Sequence, residues 1–114
     1  YRLSTIKHAN ASNAEVITGL SCSNEYKNYI EISWNQPNLL EEFYGVEIWR
    51  GDTEDVNDNY NLYDKLITIT DPSIIRFEDR YNIGSGTTWY YMLKVINIHG
   101  NFNKSSVIQG YTIP

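Results

Sequence analysis

The stretch Tyr29-Ile-Glu-Ile-Ser-Trp-Asn-Gln-Pro37 constrains this chain more than any other. Ile30, Ile32 and Trp34 alternate with Glu31, Ser33 and Asn35. Strict period-two alternation marks a strand with one buried face. Pro37 has no N–H to donate to a ladder, so it stops the run soon after the large ring is buried. The spacing therefore predicts a strand that carries Trp34 into the centre of a core. Ten Tyr and three Trp add residues that favour strands. The frequent Asn residues fall mostly between apolar runs, where turns need them. Together these features predict an all-β chain.

At 114 residues the chain is long enough for one domain with one core. Residues 1–13 show little pattern and read as a linker or the end of a preceding domain, with the domain proper over 14–114. A first strand is expected over Ala14–Cys22, anchored by Val16 and Leu20 and kinked at Gly19. The Trp34 stretch is the second. A third, Phe43–Arg50, sets Tyr44, Val46 and Ile48 on one face and Gly45, Glu47 and Trp49 on the other. A long acidic loop, Gly51–Asn61, follows. Leu62–Thr70 is the fourth strand, with Leu62, Leu66 and Ile67 as its apolar residues. Asp71-Pro-Ser73 is a turn, and Ser73–Glu78 is the fifth strand, with Ile75 and Phe77 aligned. The sixth runs from Thr88 to Asn97. Trp89, Tyr91, Leu93 and Val95 share one face, and Tyr90, Met92, Lys94 and Ile96 the other, the two-faced pattern of a central strand. His99–Lys104 reads as a hairpin-type loop and Ser105–Ile113 as a seventh strand. Seven short strands without a helix predict a sandwich or a small barrel.

Three of these stretches resemble fibronectin type III domains: Ile30-x-Ile32-x-Trp34 with Pro37, Tyr44-Gly-Val-Glu-Ile-Trp-Arg50, and Gly86-Thr-Thr-Trp-Tyr-Tyr-Met-Leu-Lys-Val-Ile-Asn97 followed by Gly100. The resemblance covers residues 14–114 and implies an immunoglobulin-like β-sandwich of seven strands. Trp89 stands where that family carries its corner tyrosine. Because indole has no hydroxyl, the corner hydrogen bond should pass to a neighbouring Tyr or be missing. A narrower resemblance, carried by Glu47-Ile-Trp-Arg-Gly51, Leu66-Ile67, Trp89-Tyr-Tyr91 and His99-Gly-Asn101, is to type III modules in the tail-tip host-attachment proteins of long-tailed phages. It implies a non-catalytic structural or interaction module that supports host recognition, located in a virion tail or at a bacterial surface. Neighbouring tail domains, a host receptor or a glycan would be its partners. Secreted bacterial enzymes and surface adhesins carry similar modules, which supplies the alternative.

Chemistry-bearing residues are sparse. A formal charge of −5 and a pI near 4.9 repel phosphate backbones, so nucleic acid is not expected as a partner. No apolar run reaches the ~18 residues of a membrane span, and no basic amphipathic stretch is present. Cys22, the single cysteine, rules out an internal disulfide and reads as a small core residue. His8 and His99 lie in the leader and a turn. No catalytic set forms, and no enzyme activity or cofactor is expected. Arg50-Gly51-Asp52 spells the integrin tripeptide but follows the third strand, whereas adhesive type III domains carry it between the last two. Asp52, Glu54, Asp55, Asn57 and Asp58 could offer oxygens to Ca²⁺, yet Tyr60 and Leu66 occupy the Gly and Glu positions of an EF-hand loop counted from Asp55. No metal is expected there. Asn10-Ala-Ser12 and Asn103-Lys-Ser105 are sequons with meaning only in a secreted eukaryotic protein. The remaining candidate is an outward-facing apolar patch of Trp49, Tyr90 and Met92, with Trp49 expected opposite Tyr90 and Glu47 opposite Met92. Such a patch serves either as a contact surface or as cross-strand packing that covers itself.

Overall fold

The computed structural model describes residues 14–54 and 62–114, and the leader and residues 55–61 lie outside them. Among the described residues eight strands form: β1 (Ser21–Cys22), β2 (Ile30–Ser33), β3 (Phe43–Gly51), β4 (Asp64–Ile69), β5 (Arg76–Asp79), β6 (Thr88–Asn97), β7 (Phe102–Lys104) and β8 (Ile108–Tyr111). One sheet has the order β1-β2-β5. The other runs β4-β3-β6-β7, with β8 also on β6. All pairings are antiparallel. The architecture is the expected immunoglobulin-like β-sandwich. No helix among the described residues is long and apolar enough to cross a membrane.

The core lies between the sheets. Ile30, Ile32 and Trp34 from one side meet Val46, Ile48, Tyr91, Leu93 and Val95 from the other, and all are buried. Alternation put these side chains on one face, and burying both faces' apolar rows against each other drives the packing. β6 matches its expected bounds and sits centrally, between β3 and the β7–β8 edge.

Elsewhere the expected elements are corrected. Between Ala14 and Leu20 the chain forms no strand; Ile17 is buried while Val16, expected as an anchor, is exposed. Gly19 adopts a left-handed φ of 68°, which breaks the ladder before Ser21. Tyr44 is 53% exposed, not inward. A register shift between Phe43 and Gly45 flips the parity there, and Phe43 packs against the core in its place. β4 is shorter than expected and leaves Leu62 exposed. A second shift at Ile48/Trp49, facing Leu66, lets both Leu66 and Ile67 pack against the core. β5 starts later and ends on Asp79, so Ile75 is exposed and Phe77 alone packs inward.

A strand, β7, forms at Phe102–Lys104 inside the expected hairpin-type loop, and the expected seventh strand shortens to β8 at Ile108–Tyr111, with a break at 105–107 between the two. Ser105 makes that break. Its hydroxyl accepts a hydrogen bond from the Leu93 N–H at 3.0 Å, and its own N–H donates to the Leu93 carbonyl at 2.8 Å. The chain thus passes from β7 to β8 without losing its hold on β6. β8 lies close to the first sheet. A Cβ built at Gly110 would stand 2.7 Å from Ile30 Cγ2 and 2.9 Å from Cys22 Cβ. Only glycine permits that approach.

Candidate interaction surfaces

The outer face of β3–β6 carries Trp49, Tyr90 and Met92. The register differs from the expected one by two residues: Trp49 lies opposite Met92, Glu47 opposite Lys94, and Gly51 opposite Tyr90. A two-residue slip leaves every side chain on its own face, so alternation alone does not separate the two registers. The observed one pairs Val46 with Val95 and Ile48 with Leu93 in the core.

That register brings charge onto the patch. The Trp49 indole N–H donates to Glu47 Oε1 at 3.0 Å. Lys94 Nζ lies 3.9 Å from the same oxygen, 4.9 Å from the Trp49 ring centroid and 4.2 Å from that of Phe102. Lys65 reaches Glu47 Oε2 from β4 at 3.4 Å. Met92 is only 4% exposed, while Trp49 and Tyr90 are half-buried. The face is a clasp of rings and cations around Glu47. Of its members, Trp49 and Tyr90 keep surface to offer a partner.

Arg50 ends the inward row Val46–Ile48–Arg50, which carries a cation into the sandwich. Its Nη1 donates to Asp79 Oδ2 at 2.9 Å and to the Tyr81 carbonyl at 2.6 Å. The Tyr91 hydroxyl donates to the same Asp79 oxygen at 2.6 Å, and the Tyr81 N–H donates to Asp79 Oδ1 at 3.1 Å. The guanidinium lies 3.9 Å from the Trp89 ring centroid and 5.4 Å from that of Tyr81. Arg50 and Asp79 are 7% and 1% exposed. Burial, and then the Asp79 carboxylate that its hydroxyl bonds, hold the Tyr91 phenol far above its ordinary titration range. Trp89 Nε1 is buried with no partner among the described residues, so the corner hydrogen bond is not made there by Trp89; the hydroxyl of Tyr91 goes to a carboxylate. This cluster escaped the sequence reading, which ended the third strand at Arg50 and the fifth at Glu78. The continuing inward parity of Arg50 was the available signal.

The same contacts dispose of the tripeptide: Arg50 is interior and Gly51 is buried. Asp52 and Glu54 are exposed, whereas Asp55, Asn57 and Asp58 lie outside the described residues. His99 is exposed in the turn after β6. The Asn103 side-chain amide donates to the Ala14 carbonyl, which ties the entering chain to β7. His8 and Asn10 fall in the undescribed leader.

Cys22 packs against the core, and burial pushes its thiol up to about 12. A group whose folded pKa is raised stabilises the fold below its unfolded value, and that stability is lost as pH rises towards the folded value. Here the window runs from about 9 to about 12. Between pH 9 and 10 the unfolding free energy should fall by up to ~1.4 kcal/mol more in the native chain than in Cys22→Ala. Urea titrations at the two pH values measure the difference, and identical slopes for both proteins would refute it.

No protein-family model matches the sequence, and no curated protein matches it. Solved structures do. A Fn3-like protein from Clostridium thermocellum is similar at 19% identity and a TM-score of 0.65, over 90% of this chain and 96% of that one. The sixth type III domain of human fibronectin type III domain containing protein 3 gives 13% identity and a TM-score of 0.68, over 90% of this chain and 89% of that one. Pectate lyase PelI from Erwinia chrysanthemi, solved in complex with tetragalacturonic acid, gives 19% identity and a TM-score of 0.65 over 83% of this chain. This chain spans only 28% of that enzyme's length. The chain has the fibronectin type III fold, an immunoglobulin-like sandwich.

Proposed function

We propose that the chain is a non-catalytic structural and interaction module of a larger protein, and that this protein is a phage tail-tip attachment protein. Its likeness to one part of a much longer chain supports the modular reading: the same fold occupies 28% of the pectate lyase. The phage context is supported by the sequence resemblance at Glu47–Gly51 and Trp89–Tyr91. There the module would space neighbouring tail domains and present the β3–β6 face to them or to the host surface. A second reading, an accessory module of a secreted bacterial enzyme, is favoured by the pectate lyase likeness. The parent sequence separates them. Tail-hub sequence upstream with sibling modules is the expected result, and a hydrolase or lyase domain in its place would overturn the phage reading.

The face itself is tested by NMR. Addition of host cell-wall glycan to the chain should shift the Trp49 indole N–H, because any partner seated there must approach the Glu47 carboxylate it bonds. An unmoved Trp49 signal would remove glycan from the partners of this face.

A further inference from the structure

β4 and β5 are the open edges of their sheets, and a cleft of about 490 Å³ lies between them. That size falls within the range of about 300–1,000 Å³ typical of small-ligand sites. Arg50, Asp64, Lys65, Asp79, Arg80 and Tyr81 line it. We propose that this cleft binds a carboxylate-bearing sugar unit of an acidic polysaccharide.

Three features carry the assignment. The first is charge: Arg50, Lys65 and Arg80 gather three cations on one cleft of a chain whose net charge is −5, beside Asp64 and Asp79. The second is a surplus of donors. Arg50 spends only Nη1 on Asp79 and on the Tyr81 carbonyl, and among the described residues nothing accepts from its other guanidinium N–H groups. Arg80 gives Nε and Nη2 to Glu78 and keeps Nη1, and Lys65 gives one bond to Glu47. An acceptor-rich anion suits such a site, and the planar guanidinium suits a carboxylate. The third is aromatic surface. Tyr81 is 66% exposed at the rim. Its ring stands 5.4 Å from the Arg50 guanidinium. A flat exposed ring beside cations matches a pyranose, whose apolar C–H face stacks while its carboxylate pairs. A carboxylate-rich peptide would use the cations and leave the Tyr81 ring idle.

The assignment depends on the cleft and not on which parent protein carries it. Isothermal titration of the chain with a galacturonate tetramer, beside the uncharged galactose tetramer, tests it. Saturable binding of the acid alone is expected, weakened by 0.5 M salt and accompanied by amide shifts at Lys65, Arg80 and Tyr81. Tyr81→Ala and Arg80→Gln should each weaken binding about tenfold; both side chains are largely exposed and neither change should disturb folding. Four results would each overturn the proposal: no saturation by about 10 mM tetramer, equal binding of the neutral tetramer, indifference to both variants, or a Glu-rich peptide binding as tightly.

Discussion

Asp79→Ala is expected to lower the unfolding free energy by about 3–5 kcal/mol, the largest effect of any single polar substitution in this chain. Asp79 is 1% exposed and accepts from Arg50, Tyr91 and the Tyr81 N–H. Truncation leaves the Arg50 cation inside the sandwich with only the Trp89 and Tyr81 faces and one carbonyl to balance it. An unpaired charge in that setting costs far more than the intact pair contributes. The same logic gives a second outcome. Replacing both partners, Arg50→Met with Asp79→Leu, should recover most of the loss, since desolvation of two ions then disappears together with their attraction. Tyr91→Phe removes one bond to a charged group and should cost about 1.5–3 kcal/mol. Guanidinium unfolding of the four proteins measures all of this. A loss under ~1 kcal/mol for Asp79→Ala would show that the pair does not hold the sheet edges together.

Trp34→Ala should cost about 3–5 kcal/mol. Trp34 follows β2, is buried, and is held at the sandwich centre by its N–H bond to the Ile75 carbonyl at 3.0 Å. Removing the ring opens a cavity among Ile32, Val46, Leu93 and their neighbours, which the two sheets fill only by moving together. The indole Nε1 is buried with no partner among the described residues, which costs stability. Trp34→Phe sheds that unsatisfied donor as well as volume, so its loss should be well below that of Trp34→Ala. Equal losses for the two variants would mean that volume is not what the site supplies. A loss under ~1 kcal/mol for Trp34→Ala would remove it from the centre of the core.

Where alternation was unbroken, the fold was legible in the residues. β6 keeps one phase for ten residues, from Thr88 to Asn97, and its bounds and inward face were read correctly. Ile30, Ile32 and Trp34 likewise declared their face. The errors cluster at interruptions of phase. The shift at Phe43/Gly45 turned Tyr44 outward, and the one at Ile48/Trp49 put Leu66 and Ile67 on one side. A bulge inserts one residue, and no local composition marks it as certain. The break between β7 and β8 rests on Ser105 finding Leu93, a contact between residues 12 apart.

The candidate surfaces were less legible than the fold. Trp49, Tyr90 and Met92 do share an outward face, but which residues stand opposite each other depends on a register that period two leaves open to slips of two. Core pairing settled it and placed Lys94 across from Glu47. The Arg50–Asp79–Tyr91 cluster joins residues 29 and 12 positions apart. The cleft beside it exists only because two separate sheets end next to each other. The class of fold, the central strand and the core tryptophan follow from local pattern, because a side chain's face is set by its own backbone phase. The register, the buried ion pair and the cleft follow from tertiary structure, because each depends on which distant strand lies alongside.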